Sequence, residues 1–232
     1  MEEEIVAAIT KAESRKRLWH FTRASNLPAI AHFDALWPSV KINPTLAAGR
    51  RRPGAAQSKH DGYTMTVNAH LRIADGMFDA SVKQEQFRAF LDRHVFLWPT
   101  LRDCRQMIDS YARREPGERF AVLAFDAPSL LLEHYSAVKL SKYDSGSSPR
   151  YPSRCSYRKS LAMFLPLSRF KLDAHNPVPT KASEIKEILV EHKVRGVFGH
   201  LLAVYVDRSD ELPVRWRRLV RPLADLQKNG GG

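Results

Sequence analysis

Leu18-Trp19-His20-Phe21-Thr22-Arg23-Ala24-Ser25-Asn26-Leu27-Pro28-Ala29-Ile30 reads as a strand that runs straight into a helix. Its first half is apolar and β-like. Ser25 then stands as a candidate N-cap for a helix through NLPAIAHF, with Pro28 in the first turn, where proline is tolerated. Two hydrogen-bonding side chains, His20 and Thr22, sit at the junction, beside helix-start amides that are free to donate. A plainer reading remains open: His20 as a half-buried histidine and Asn26 as part of the helix's first turn.

Outward from this junction the chain alternates helical and strand-like runs without an internal repeat. Residues 3 to 14 form an amphipathic helix with Ile5, Ala8, Ile9 and Ala12 on one face. Residues 38 to 62 lack periodicity and read as a long loop. YTMTVNAHL is a candidate strand and VKQEQFRAFLD a helix. HVFLW, FAVLAF and LLAVYVD are short apolar runs suited to buried strands. Thr100 opens a helix through LRDCRQMIDSYARR, and DAPSLLLEHY is a shorter one. The basic PVRWRRLVRPLADLQ is read as a short helix and KNGGG as a frayed tail. Together these imply an α+β protein of one domain over residues 1–232, with a core at about 17–206 and a basic segment at 207–232.

The apolar fraction of 44% and charged fraction of 27% are those of an ordinary globular chain. No run approaches the roughly 20 apolar residues of a membrane span, and the N-terminus lacks signal-peptide character, so a cytosolic protein without a membrane partner is expected. The two cysteines, Cys104 and Cys155, have neither disulfide-scaffold nor zinc-ligand spacing. A net charge of +12 marks a partner of opposite sign, with nucleic acid foremost. Arg50, Arg51 and Arg52 lie in AAGRRRPGAAQ, which reads as an exposed loop. Residues 141 to 171 hold seven cations against the single acid Asp144. In KYDSGSSPRYPSRCSYRK, Arg150, Arg154 and Arg158 alternate with Tyr151 and Tyr157. Cations for phosphates and rings for bases are what a single strand requires; rings lying flat on the protein body are the competing reading.

Generic signatures for phosphate loops, dinucleotide folds, zinc proteases and serine hydrolases are missing, and no histidine pair has metal-ligand spacing. LWHFTRASNLPAI does resemble the opening motif of the DarT-type ADP-ribosyltransferase toxins, in which a strand ends in His-x-Thr and a helix begins Asn-Leu-x-x-Ile. A second likeness lies in Ala182-Ser183-Glu184-Ile185-Lys186-Glu187-Ile188-Leu189-Val190, where that family carries a catalytic glutamate entering a late strand. The resemblance is specific at these two motifs.

It implies a split two-sheet fold that binds NAD as co-substrate, needs no metal, and transfers ADP-ribose to a base of single-stranded DNA. Glu187 would be the carboxylate that stabilises the developing ribose cation and takes the acceptor's proton. His20 would bind a ribose hydroxyl and the Phe21 backbone the nicotinamide amide, with Thr22 and Asn26 completing the cofactor wall. An arginine between the motifs should meet the NAD phosphates; Arg72, closing a β-like run, is preferred over Arg51 and Arg52, which suit DNA phosphate. Glu184 could replace Glu187. An antitoxin or reversing hydrolase is an expected partner. A non-catalytic single-strand-binding module on this fold, or a transferase acting on RNA or protein, is the alternative.

Overall fold

The computed structural model describes residues 1–173, 177–208 and 212–228. In chain order, α1 (Glu2–Thr10) leads to β1 (Arg17–Arg23), α2 (Leu27–Phe33), β2 (Ala35–Leu36) and the single turn α3 (Ser39–Ile42). The hairpin β3 (Ala56–His60) and β4 (Tyr63–Val67) follows, then α4 (Gln84–Asp92), β5 (His94–Leu97) and α5 (Leu101–Arg114). Next come β6 (Phe120–Asp126), α6 (Ala127–Glu133), β7 (Val138–Ser141) and β8 (Phe164–Pro166). The remaining elements are β9 (Glu187–Glu191), β10 (Val194–Arg195), α7 (Val197–His200), β11 (Leu201–Tyr205), β12 (Val220–Arg221) and α8 (Asp225–Lys228).

Two four-stranded sheets form the α+β core, ordered β1-β6-β11-β12 and β5-β9-β7-β8. Where the two sheets meet, Trp19 and Trp98 exchange backbone hydrogen bonds of 2.9 and 2.8 Å. β6 shows why FAVLAF carries no polar alternation. Ala121, Leu123 and Phe125 enter the main core, while Phe120, Val122 and Ala124 enter a second core against α5. A strand covered on both faces must be apolar on both. Helix starts follow ordinary capping chemistry, since Thr100 accepts from Asp103 N–H and Asp126 from Ser129 N–H.

Several expectations need correction. Ser25 is exposed and makes no cap; a 3-10 turn at Ala24–Asn26 precedes α2, and Asn26 takes the capping position. Its side chain is committed elsewhere, accepting from Thr66 N–H at 2.7 Å and donating to Thr66 O at 3.0 Å. The loop expected at 38–62 contains α3, a 3-10 turn and β3. Asp61 and Gly62, both at positive φ, make the tight turn of the β3–β4 hairpin; an Asp-Gly pair is a hairpin signal that AQSKH, with no apolar alternation, obscures. β7 carries no strand signal of its own, being four residues long and interrupted by Lys139. The C-terminal helix is instead a 3-10 turn at Val214–Leu219, then β12 and α8. Of the tail expected at 228–232, Lys228 is instead the last residue of α8, and 229–232 lie outside the described residues.

Candidate active site

The full-length pairing of β1 with β6 fixes β1 edge-on to the second sheet, and the Trp19–Trp98 bridge draws β5 alongside it. A cleft of about 320 Å³ opens at this junction, the size of a small-molecule site. His20, Phe21, Thr22 and Asn26 line one side; Glu187, the first residue of β9, lines another.

His20 Nδ1 lies 2.8 Å from the Phe96 carbonyl, which can only accept, so Nδ1 carries the proton. Burial pushes the ring's pKa down to about 4, outweighing that hydrogen bond. His20 is therefore neutral near pH 7 and presents Nε2 as a hydrogen-bond acceptor. His94, in the same wall, is likewise held neutral by burial, with its pKa lowered to about 4, and its Nε2 has no partner among the described residues.

Glu187 is 3% exposed. Burial, aided by the nearby Asp144 charge, raises its pKa; hydrogen bonds from Ser145 and the charge of Lys159 work against that rise. Ser145 gives Oε2 both its N–H at 3.0 Å and its Oγ–H at 2.6 Å. Oε1 receives no hydrogen bond among the described residues and is the oxygen left for a ligand. A second depression borders Glu187 from the side of Arg102, Tyr143 and Lys186, so the carboxylate is shared between two concavities.

The expected arginine moves. Arg72 is exposed and faces a neighbouring depression with Arg51, and is not part of the main cleft's wall. Arg52 lines the cleft, and the exposed-loop reading fails for it. Its Nη2 pairs with Asp92 at 3.1 Å, its Nε donates to Asn68 O at 2.6 Å, and its buried Nη1 has no partner among the described residues. Its backbone is held against His70, whose N–H donates to Arg52 O at 2.8 Å and whose Nδ1 accepts from Arg52 N–H at 3.2 Å. Just before it, Gly49, at φ 68°, lies so close to α4 that a Cβ there would be 1.9 Å from Glu85 O. Arg50 and Arg51 stay exposed.

Glu184 is not in the cleft wall. It accepts from Thr180 N–H at 2.8 Å and pairs with Lys142 at 3.2 Å, which holds its pKa down to about 2. In the basic loop Arg150, Arg154 and Arg158 are exposed, whereas both tyrosines already have ring partners. Tyr157 stacks on Tyr143 with centroids 3.6 Å apart, and Arg158 lies over Tyr151 at 4.4 Å. Sequence reasoning gave no site role to Ser145, Lys159, Asp92 or His94: the first two lie in the basic loop KYDSGSSPRYPSRCSYRK and the others in a helix and strand, where nothing local marks them as buried around a cleft.

Away from the cleft, Glu133, His134 and His200 bring ligand-type atoms within 4.8 Å of one another. His200 is already held by Ser129 Oγ at 2.8 Å and by Glu133 at 2.7 Å, and Arg195 N–H donates to His134 Nε2 at 3.3 Å. The cluster reads as a clamp between α6 and α7.

Fold and site together describe a two-sheet α+β protein with a ligand cleft, a neutral histidine and a poised carboxylate. The sequence matches the model of a family of unknown function (DUF7002) over residues 16–201, and the chain belongs to that family. None of the functionally curated proteins matches it. Solved structures of Thermus sp. 2.9 DarT are similar to the chain at low identity. The complex with carba-NAD+ shares 12% identity at TM-score 0.40, covering 86% of each chain. The NAD+ complex shares 13% at TM-score 0.39, covering 85% of this chain and 84% of that one. The complex with ADP-ribosylated ssDNA shares 11% at TM-score 0.39, covering 83% and 81%. Among the described residues no helix is long and apolar enough to cross a membrane.

Proposed function

We propose that this protein is an NAD-dependent mono-ADP-ribosyltransferase that modifies a base of single-stranded DNA. One observation carries the reading: two motifs at opposite ends of the sequence, His20-Phe21-Thr22 with Asn26 and the strand start at Glu187, line a single cleft. The bond from ribose C1′ to nicotinamide breaks, a base nitrogen bonds to C1′, and the proton of that nitrogen leaves to Glu187. Oε1 faces the cationic ribose carbon, while Oε2 is held by Ser145. His20 Nε2 accepts from a ribose hydroxyl. Arg52, which lines the cleft, rather than Arg72, serves the NAD phosphates. Arg50, Arg51, Arg150, Arg154 and Arg158 hold the strand's phosphates, with Tyr151 and Tyr157 beside them.

The test is incubation of the protein with NAD and a mixed-sequence single-stranded oligonucleotide, read by mass spectrometry. An ADP-ribose increment on the oligonucleotide, lost in Glu187→Ala, is the expected result. Nicotinamide release without an oligonucleotide adduct would move the acceptor to RNA or protein. Oligonucleotide binding with no NAD consumption would leave a non-catalytic binding module.

A further inference from the structure

Lys159 is 0% exposed, and an ammonium is costly to bury unless something there needs its charge. Among the described residues it hydrogen-bonds to no carboxylate. Nζ donates instead to two successive carbonyls, Asp144 O at 2.9 Å and Ser145 O at 2.6 Å. Those carbonyls lie at the near end of the basic loop and Lys159 at its far end. Its backbone is anchored too: Lys159 N–H donates to Met77 O at 2.8 Å, and Asp79 N–H donates to Lys159 O at 2.9 Å. Ser145, held in this way, delivers both hydrogen bonds to Glu187 Oε2.

We propose that Lys159 is a positioning residue for Glu187. Its ammonium knots the base of the basic loop, residues 144–158, and so keeps Ser145 and a positive charge on the carboxylate. The proposal rests on the reading of Glu187 as the reacting group and adds the residue that orients it. It also ties the loop expected to meet the acceptor strand to the carboxylate expected to act on it. An apolar side chain could fill the same space against Phe87, whose ring lies 5.5 Å from Nζ, but could neither grip the two carbonyls nor oppose Asp144. The titratable groups facing the pair are Asp144, Cys155 and Tyr157, all on the same loop. Burial lowers the Lys159 pKa, while Asp144 and Glu187 sustain its charge.

The experiment is an NMR titration of protein carrying 13C-carboxyl glutamate, with the Glu187 signal assigned by its loss in Glu187→Gln. In Lys159→Met the Glu187 midpoint should rise by about one pH unit or more, and the Ser145 amide should lose its protection from hydrogen exchange. Lys159→Gln keeps a donor for the carbonyls without the charge, so it should restore Ser145 protection while the midpoint stays raised. If Lys159→Met does not unfold cooperatively, Lys159→Gln decides. A folded variant with an unmoved Glu187 midpoint overturns the proposal. The titration needs no NAD, so the two readings fail separately. A shifted midpoint in a protein that never consumes NAD removes the reaction and leaves Lys159 in place. Where turnover exists, Lys159→Met should lower kcat about tenfold with KM for NAD little changed.

Discussion

Burial tunes Glu187 and His20 in opposite directions, because each is pushed toward its uncharged form. For Glu187 the consequence is a pH profile whose rising limb lies above the ordinary carboxylate range, since the proposed step needs the ionised form. Measured kcat/KM for NAD against pH should show that limb. Stability should run the other way. A carboxyl whose folded pKa is raised contributes stability below its unfolded value, and that contribution is lost as pH rises through the folded pKa. Glu187→Gln should therefore abolish transfer, by about a thousandfold or more, while unfolding at higher denaturant than wild type at alkaline pH. For His20, with a pKa lowered to about 4, the ring adds no pH dependence to NAD binding between pH 6 and 8. His20→Phe should weaken NAD binding about tenfold by calorimetry, the worth of one hydrogen bond to a ligand.

At the scale of elements, the turn from Gly49 to Arg52 decides which arginine reaches the cleft. Gly49→Ala combines a positive φ with a Cβ driven into the α4 backbone at Glu85 O. It should lower stability by about 2 kcal/mol in urea unfolding and weaken NAD binding by displacing Arg52. Arg72→Ala, on its exposed site, should leave NAD affinity unchanged. Asp92 sets the other half of this device. Burial works to raise its pKa, but hydrogen bonds from His70 and Arg52 prevail and lower it. A depressed carboxyl contributes stability above its unfolded value and loses it as pH falls through the folded pKa. Asp92→Ala leaves Arg52 buried and unpaired, which should cost about 3–5 kcal/mol near neutral pH. A loss under about 1 kcal/mol would mean that Arg52 finds another partner or turns outward.

For the whole molecule, the excess of 12 positive charges predicts a binding term that any polyanion shares and salt removes. Single-strand affinity, measured by fluorescence anisotropy, should fall steeply between 50 and 200 mM salt on the order of the counterions released. Arg150→Ala combined with Arg154→Ala should flatten that dependence without touching NAD binding, since both residues lie outside the cleft wall. A salt-independent affinity would argue against phosphate contacts as its source.

Much of this was legible in the chain. Strands buried on both faces, such as FAVLAF, announce themselves by composition, and Thr100 marks its helix start by local chemistry. His20, Phe21, Thr22, Asn26 and Glu187 stand out through the resemblance to the DarT-type motifs, and the structure brings all five to the wall of one cleft. What stayed hidden depends on distance along the chain being unrelated to distance in space. Arg50, Arg51 and Arg52 are identical neighbours in sequence, yet only the third is buried, against Asn68, His70 and Asp92. Likewise Lys159 and Ser145 look like ordinary loop residues until β7, β9 and the loop between β7 and β8 place them around Glu187. Residue type and local period were determined by the sequence itself. Which charges lose their water, and so which are pushed off their ordinary pKa values or forced into partnership, was decided only by the packing of the two sheets, because desolvation is a property of surroundings and not of neighbours in the chain.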